Sequence, residues 1–427
     1  MIGLVVLTVA IQIYLLKKGM IKSLSFYLCI VLLIPYIVKF TIAGFGILYN
    51  QLLQLILFVA FMMSWRKRKT PNRKFMLYFI ALLCYFIFII PFTSTPYSLQ
   101  LQAVLKIILS FTPIFIAFYA FRDSKDVEYI HKWLTLVCWI MVVYGLIVYA
   151  TGRNFYMEYL INIYGDISNT SSYLHFMDEE RAGLSHRISS TIVHPLSYGQ
   201  ILILFLGYYL FMYVPLKNKM WHWLLIVLII INVFMSGSRS CIFPMALILL
   251  VRVSLMEIKT KVVLTIILCL MVVSSPALFS LVTDIYNMIN GTIRGSADYG
   301  GSNISMRALQ FITFIEIISD NSLLGRGNGF VAYQGDKYPD MLGYESIIFN
   351  EGSNYGLIGL LFYLILFSSV FRLMKRYNLS KTGIVYVVAI SFSYLLSIIM
   401  TGIQGSFVFF WILMVAYLNL HKNQVKL

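Results

Sequence analysis

A chain of 427 residues that is 60% apolar, 16% aromatic and 12% charged, with mean hydropathy +0.84, lies far from a soluble domain, in which about 25% of residues carry charge. The formal charge of +16 sits in short loops between apolar runs, so it is a topology signal and excludes a nucleic-acid surface. Five cysteines in apolar runs, with no CxxC and no cluster, exclude a disulfide or zinc framework and read as small buried hydrophobes.

Crossing a bilayer takes about 20 apolar residues. Stretches near that length run from 2 to 16, 24 to 43, 46 to 65, 75 to 92, 100 to 121 and 133 to 150. The first lacks a basic flank and a small-residue cleavage site, so it reads as a retained helix. A polar and aromatic insertion follows at 151–189. Further stretches run from 190 to 214, 221 to 236, 240 to 256 and 262 to 281. A larger insertion occupies 282–352, and 353 to 371, 383 to 401 and 405 to 420 complete the set. The expectation is an all-α polytopic membrane protein, one membrane domain over 1–427 with about 13 (12–14) transmembrane helices and two loop insertions.

If connections alternate sides, one set holds 23 of the 33 Lys and Arg, with the densest clusters at Arg66 to Lys74 and Arg372 to Lys381. The positive-inside rule makes those loops cytoplasmic and puts both insertions outside. Thirteen of the seventeen acids also fall outside. Lys39 and Lys106 lie near the outer ends of their stretches and read as snorkelling to the interface.

In the second insertion, Ile304, Leu309, Phe311, Ile312, Phe314, Ile315, Ile317 and Ile318 have the spacing of an amphipathic helix lying on the membrane surface. Ser305 or Asn303 is its expected cap. GRGNG at Gly325 to Gly329 lacks the strand and helix of a phosphate loop and reads as a turn displaying Arg326. His186 and His194 are too far apart for the i, i+4 zinc arrangement, and no metal or cofactor is expected.

The outer face gathers basic residues: Arg153, Arg181, Arg187, Arg239, Arg294, Arg307, Arg326 and Lys337. Arg239 lies between two apolar runs, where a guanidinium is costly without an anionic partner. The chain has no Asp-x-Asp to hold a metal on a nucleotide-sugar diphosphate. Arginine forks neutralise a diphosphate without metal, so a lipid-diphosphate donor suits this face. Bland readings stand beside these: an interfacial anchor for Arg187, a salt bridge to Glu316 for Arg307, a solvated loop acid for Glu345.

RISSTIVHP (Arg187 to Pro195), MSGSRS (Met235 to Ser240), SMRALQF (Ser305 to Phe311), LLGRGNGF (Leu323 to Phe330) and ESIIFNEGSNYGLIGLL (Glu345 to Leu361), in that order, resemble the O-antigen polymerase and O-antigen ligase superfamily. The resemblance covers about residues 190 to 400. It implies a membrane glycosyltransferase fold of type C in a bacterial inner membrane, with undecaprenyl-diphosphate-linked glycans as donor and acceptor, functional arginines facing the periplasm, and a chain-length regulator as a further partner. Ligases of this kind show His-Asn eleven residues before the glycine of the Gly-Leu/Ile-Ile/Leu-Gly motif. Here, counting back from Gly356, Glu345-Ser346 stands there, which resembles the repeat-unit polymerases of Wzy type. The ligase and a lipid-linked-sugar flippase remain the alternatives. The expected site is then Glu345, with His194 second, as base or acceptor-orienting group, and Arg239, Arg187, Arg307 and Arg326 on the diphosphate.

Overall fold

The computed structural model describes residues 2–35, 39–42, 45–65, 73–121, 123–164, 187–212, 219–257, 304–334, 337–338, 341, 346–377, 379–402 and 405–424. Six helices come first: α1 (Ile2–Lys18), α2 (Met20–Leu33), α3 (Tyr49–Trp65), α4 (Arg73–Phe88), α5 (Tyr97–Ala120) and α6 (Ser124–Thr151). A short α7 (Phe155–Tyr164) precedes α8 (Pro195–Gly207), α9 (Lys219–Met235) and α10 (Arg239–Ser254). After these come α11 (Ile304–Ser319), a one-turn α12 (Phe330–Gln334), α13 (Ile347–Arg376), α14 (Lys381–Thr401) and α15 (Phe407–Gln424). Each of the predicted apolar stretches carries a helix except 262 to 281, which lies outside the described residues. Among the described residues five helices are long and apolar enough to cross a membrane outright, and several more are shorter apolar helices; the chain is an all-α polytopic membrane protein.

One expectation fails locally. Between α2 and α3, where two adjoining spans are predicted, an antiparallel hairpin pairs β1 (Lys39–Ile42) with β2 (Phe45–Leu48). The cause is Pro35: the residue before a proline is pushed out of the helical region, and Ile34 is extended at φ −111°, ψ 109°. Lys39 therefore opens a strand instead of ending a helix.

The outward faces show why the bundle needs lipid. On α6, Leu136, Ile140, Val143 and Ile147 form an exposed apolar stripe at helical spacing, while Leu134, Cys138, Met141, Val142 and Val148 are buried. α8 and α15 form the interior: α8 is buried from Tyr198 through Gly207, and α15 from Phe407 through Asn419. Rings of Phe111, Phe367, Tyr394, Phe407, Phe410 and Trp411 interlock around α15. Because lipid is as apolar as the helices, small residues and polar cross-links supply association, on the order of 0.6–2 kcal/mol per hydrogen bond. The Tyr198 hydroxyl donates to Asn232 Oδ1 at 2.8 Å and Gln54 Nε2 to the Tyr27 hydroxyl at 2.7 Å. Cys29, Cys138 and Cys241 are buried, but Cys84 is exposed on the apolar surface of α4, and Cys269 lies outside the described residues.

The expected amphipathic helix is α11. Gln310, Thr313, Phe314, Ile317 and Ile318 are buried, and Leu309, Phe311, Ile312 and Ile315 form an exposed apolar face. Ser305 lies inside this helix, and Asn303, the other expected cap, lies outside the described residues.

Candidate functional site

The end of the bundle that carries the expected arginines is built on the segment Arg187 to His194. Its hydroxyls are tied to neighbouring helices: Ser190 Oγ donates to Met141 O within α6 and Thr191 Oγ1 to Leu32 O near the end of α2, both at 2.7 Å. Ser190, at φ 52°, is the one non-glycine positive φ among the described residues, a conformation that costs about 1–3 kcal/mol and needs surrounding bonds to persist. Asn154 Nδ2 supplies one by donating to Ser190 O at 2.7 Å. His194 then caps α8, its Nδ1 accepting from Leu196 N at 3.1 Å. With Nδ1 so used, the neutral ring carries its proton on Nε2, making His194 a hydrogen-bond donor to its surroundings.

Arg187 is 1% exposed, which is not the position of a snorkelling anchor. Its Nε donates to Ser236 O at 3.0 Å and its Nη2 to Ser238 Oγ at 3.1 Å, while Ile188 N donates to Met235 O. The RIS segment thus clamps the turn MSGSRS. That turn delivers Arg239 to the first position of α10, whose N-cap, Ser238, makes no side-chain capping bond. Helix N-termini attract anions through free N–H groups and the dipole, and Arg239 begins its helix at that pole.

Arg307 joins from another direction. It donates to Gln310 Oε1 at 2.9 Å and to Met400 O at 3.0 Å, against the outer end of α14. The next residue, Thr401, receives Gln200 Nε2 at 2.7 Å. Gly199, beside Gln200, abuts Ser236 and Cys241 so tightly that a Cβ would lie 2.7 Å from Cys241 Sγ. A short run of contacts therefore links Arg307 through Met400, Thr401, Gln200 and Gly199 to the turn that holds Arg187 and Arg239.

Arg326 stands apart. Its Nε donates to Ile317 O at 2.7 Å and its Nη2 pairs with Asp320 Oδ2 at 2.5 Å. Ile317 is ten residues beyond Arg307, about 15 Å along α11. The Gly325 to Gly329 segment is a turn, as expected, but it is inserted into a break in α13. Gly356 has φ 63°, ψ −163°, interrupting the helix. Four backbone groups left by the break are met by the turn: Arg326 N donates to Ser353 O, Gly327 N to Asn354 O, Leu357 N to Ser322 O and Ile358 N to Leu323 O. Backbone polar groups at membrane depth need such partners. A Cβ on Gly325 would sit 2.5 Å from Gly356 N, so two glycines face each other at the crossing.

Glu345 lies outside the described residues, as do Arg181 and Arg294. Ser346 beside it caps α13, accepting from Ile348 N at 3.2 Å. Arg153 is an exposed pair with Glu158, Nη2 to Oε2 at 2.7 Å; that carboxylate raises the pKa of Arg153 above the ordinary arginine value. The sequence reading missed Glu351. It is 5% exposed in the outer limb of α13, with the Tyr363 hydroxyl bonded to it across the kink. An acid inside the run IIFNEGSNYGLIGLL was the available signal. Among the described residues no three His, Cys, Asp or Glu side chains form a metal-holding group.

No curated protein matches the chain. Residues 224–364, from α9 through the kinked α13, match the family model described as O-Antigen ligase. This match spans the Arg239 turn, Arg307 and the glycine crossing, and is a likeness to that family over this segment of the chain.

Proposed function

We propose that the chain polymerises lipid-linked oligosaccharide repeat units, moving the growing glycan from undecaprenyl diphosphate to the terminal sugar of an incoming lipid-linked unit. The observation that carries this reading is the junction of the Arg187–Ser236–Ser238 clamp, the Arg239 helix terminus and Arg307 at one end of the bundle. In the reaction the acceptor oxygen bonds to the anomeric carbon as the bond from that carbon to the phosphate oxygen breaks. The diphosphate leaves with the electron pair, and fixed arginines stabilise the charge it gains. The acceptor proton goes to a carboxylate. Glu345 is assigned that role, since the tautomer of His194 makes its ring a donor that orients the acceptor or a phosphate oxygen. The donor enters from the lipid beside the exposed apolar face of α11 and the arginines face the periplasm, in the inner membrane.

Purified full-length protein given only a lipid-linked repeat unit is expected to make a ladder of longer lipid-linked chains, and Glu345→Gln to abolish it while single units accumulate. Transfer of a preformed chain to a lipid A core, with no ladder from repeat units, would establish the ligase reading in its place.

A further inference from the structure

At the end of the bundle opposite the arginines lies a cavity of about 710 Å³ that the reaction does not use. It is formed where the α1–α2 turn meets the ends of α3 and α5 and the start of α6, and Lys17, Lys18, Lys22 and Lys125 line it against a single acid, Asp126. The two sites are at opposite ends of α2: Gly19 to Lys22 open onto the cavity, while Leu32 O receives Thr191 of the arginine end. Fourteen residues of helix separate them by about 21 Å.

Lysines clustered at this end of the helices are what the positive-inside rule alone produces. The arrangement here is more specific. Four lysines from two separate parts of the chain line one concavity, whose volume is in the range of ligand sites, roughly 300–1,000 Å³. Its wall includes the first turn of α2, and the N-cap there, Gly19, offers no side-chain cap; a Cβ added to it would meet nothing within 4 Å. The uncapped N-terminus of α2 therefore forms part of the wall beside the lysines. Tyr119, Tyr129 and Ser64 add polar lining, and the stem of Lys18 is braced, with its Nζ 4.4 Å from the Tyr14 ring centroid.

We infer that this cavity binds a phosphate anion, supplied either by an anionic phospholipid headgroup of the adjoining leaflet or by free phosphate. Lysines act as compact, strongly charged donors to phosphate, and basic pockets at helix ends on the cytoplasmic side take lipid headgroups. The cavity is independent of the proposed reaction and remains if that reading fails.

The test uses the full-length protein in nanodiscs of phosphatidylcholine with or without phosphatidylglycerol, with retained lipid read by native mass spectrometry. In pure phosphatidylcholine discs, inorganic phosphate is titrated and thermal unfolding followed. Retention of phosphatidylglycerol identifies the headgroup, and a phosphate-dependent rise in melting temperature identifies the free ion. Each lysine is worth about fivefold in affinity near an anionic surface, so replacing all four by Gln is expected to lose on the order of several hundredfold. Lys22→Gln alone, which leaves the fold intact, loses about fivefold. Neutralising Lys375, Arg376 and Lys381, at the same end of the bundle but outside the cavity lining, leaves binding unchanged. Equal losses from those controls and from the cavity variants, or no response to either probe, would overturn the site.

Discussion

Two turns rich in glycine and arginine differ in what holds them. In MSGSRS the turn is held from outside, by Arg187 donating to Ser236 O and Ser238 Oγ, and Arg239 is delivered to an uncapped helix terminus. In GRGNG the turn does the holding: its backbone fills the break at Gly356, and Arg326 is drawn back onto Ile317 O and Asp320. Composition alone does not separate a turn that is held by its neighbours from a turn that does the holding. The partner atoms do.

The largest effect is expected where the plug meets the break. Gly325 has φ +71° and a Cβ there would lie 2.5 Å from Gly356 N, with Tyr355 N at 2.7 Å. Holding a non-glycine residue in that conformation costs about 1–3 kcal/mol, and overlap with backbone that cannot move away adds to it. Gly325→Ala is therefore expected to yield aggregated or strongly destabilised protein in detergent, judged by size-exclusion profile and thermal unfolding. A monodisperse variant with wild-type melting would show that the crossing is not tight.

Next comes Arg239, where the fold should survive. Arg239→Ala is expected to lower polymer formation by about 10² to 10³, by analogy with removing one donor from an oxyanion site, while melting temperature stays near wild type. Arg239→Lys keeps charge but not the planar fork and should recover only part of the rate. Normal ladders from the Ala variant would leave the MSGSRS turn with no ligand and erase the contrast between the two turns.

Arg187 is expected to split the two readouts. It is buried, and its loss removes the charged donor from both Ser236 O and Ser238 Oγ, a hydrogen bond to a charged group being worth about 1.5–3 kcal/mol. Arg187→Gln should thus reduce both stability and rate, unlike the Arg239 variants. A melting temperature unchanged by Arg187→Gln would mean that the clamp does not hold the turn.

These differences mark how far the sequence carries. Apolar length placed α5, α6, α8, α13 and α14, because bilayer thickness fixes how many helical residues a span needs. The apolar spacing from Ile304 to Ile318 likewise placed α11. The hairpin at Lys39 to Leu48 was hidden because its residues are apolar enough to pass for span ends, and only Pro35 hinted at the stop. At the site, arginine identity was legible and arginine allegiance was not. Arg187, Arg307 and the turn that carries Arg239 are linked through Ser236, Gly199, Thr401 and Met400, contacts between segments up to about two hundred residues apart in the chain. No local pattern encodes which carbonyl a guanidinium will find. The function of GRGNG as a plug depended on the break at Gly356, a backbone event that the motif GLIG does not announce.

The smallest predicted effect is the sharpest test of that allegiance. Asp320 is 68% exposed and its partner Arg326 21%, so their ion pair is screened and worth at most about 1 kcal/mol. If Arg326 serves only to fasten the turn, its bond from Nε to Ile317 O and the backbone bonds of the plug remain in Asp320→Asn. Rate and KM for the lipid-linked unit should then stay within about twofold of wild type, with melting lowered by a few degrees at most. If Arg326 belongs to the diphosphate set, releasing it from Asp320 frees a guanidinium for the substrate, and KM should fall while kcat rises or holds. A steady-state comparison of Asp320→Asn with wild type at low and high salt separates the two, because a freed arginine would make the KM change disappear as ionic strength screens it.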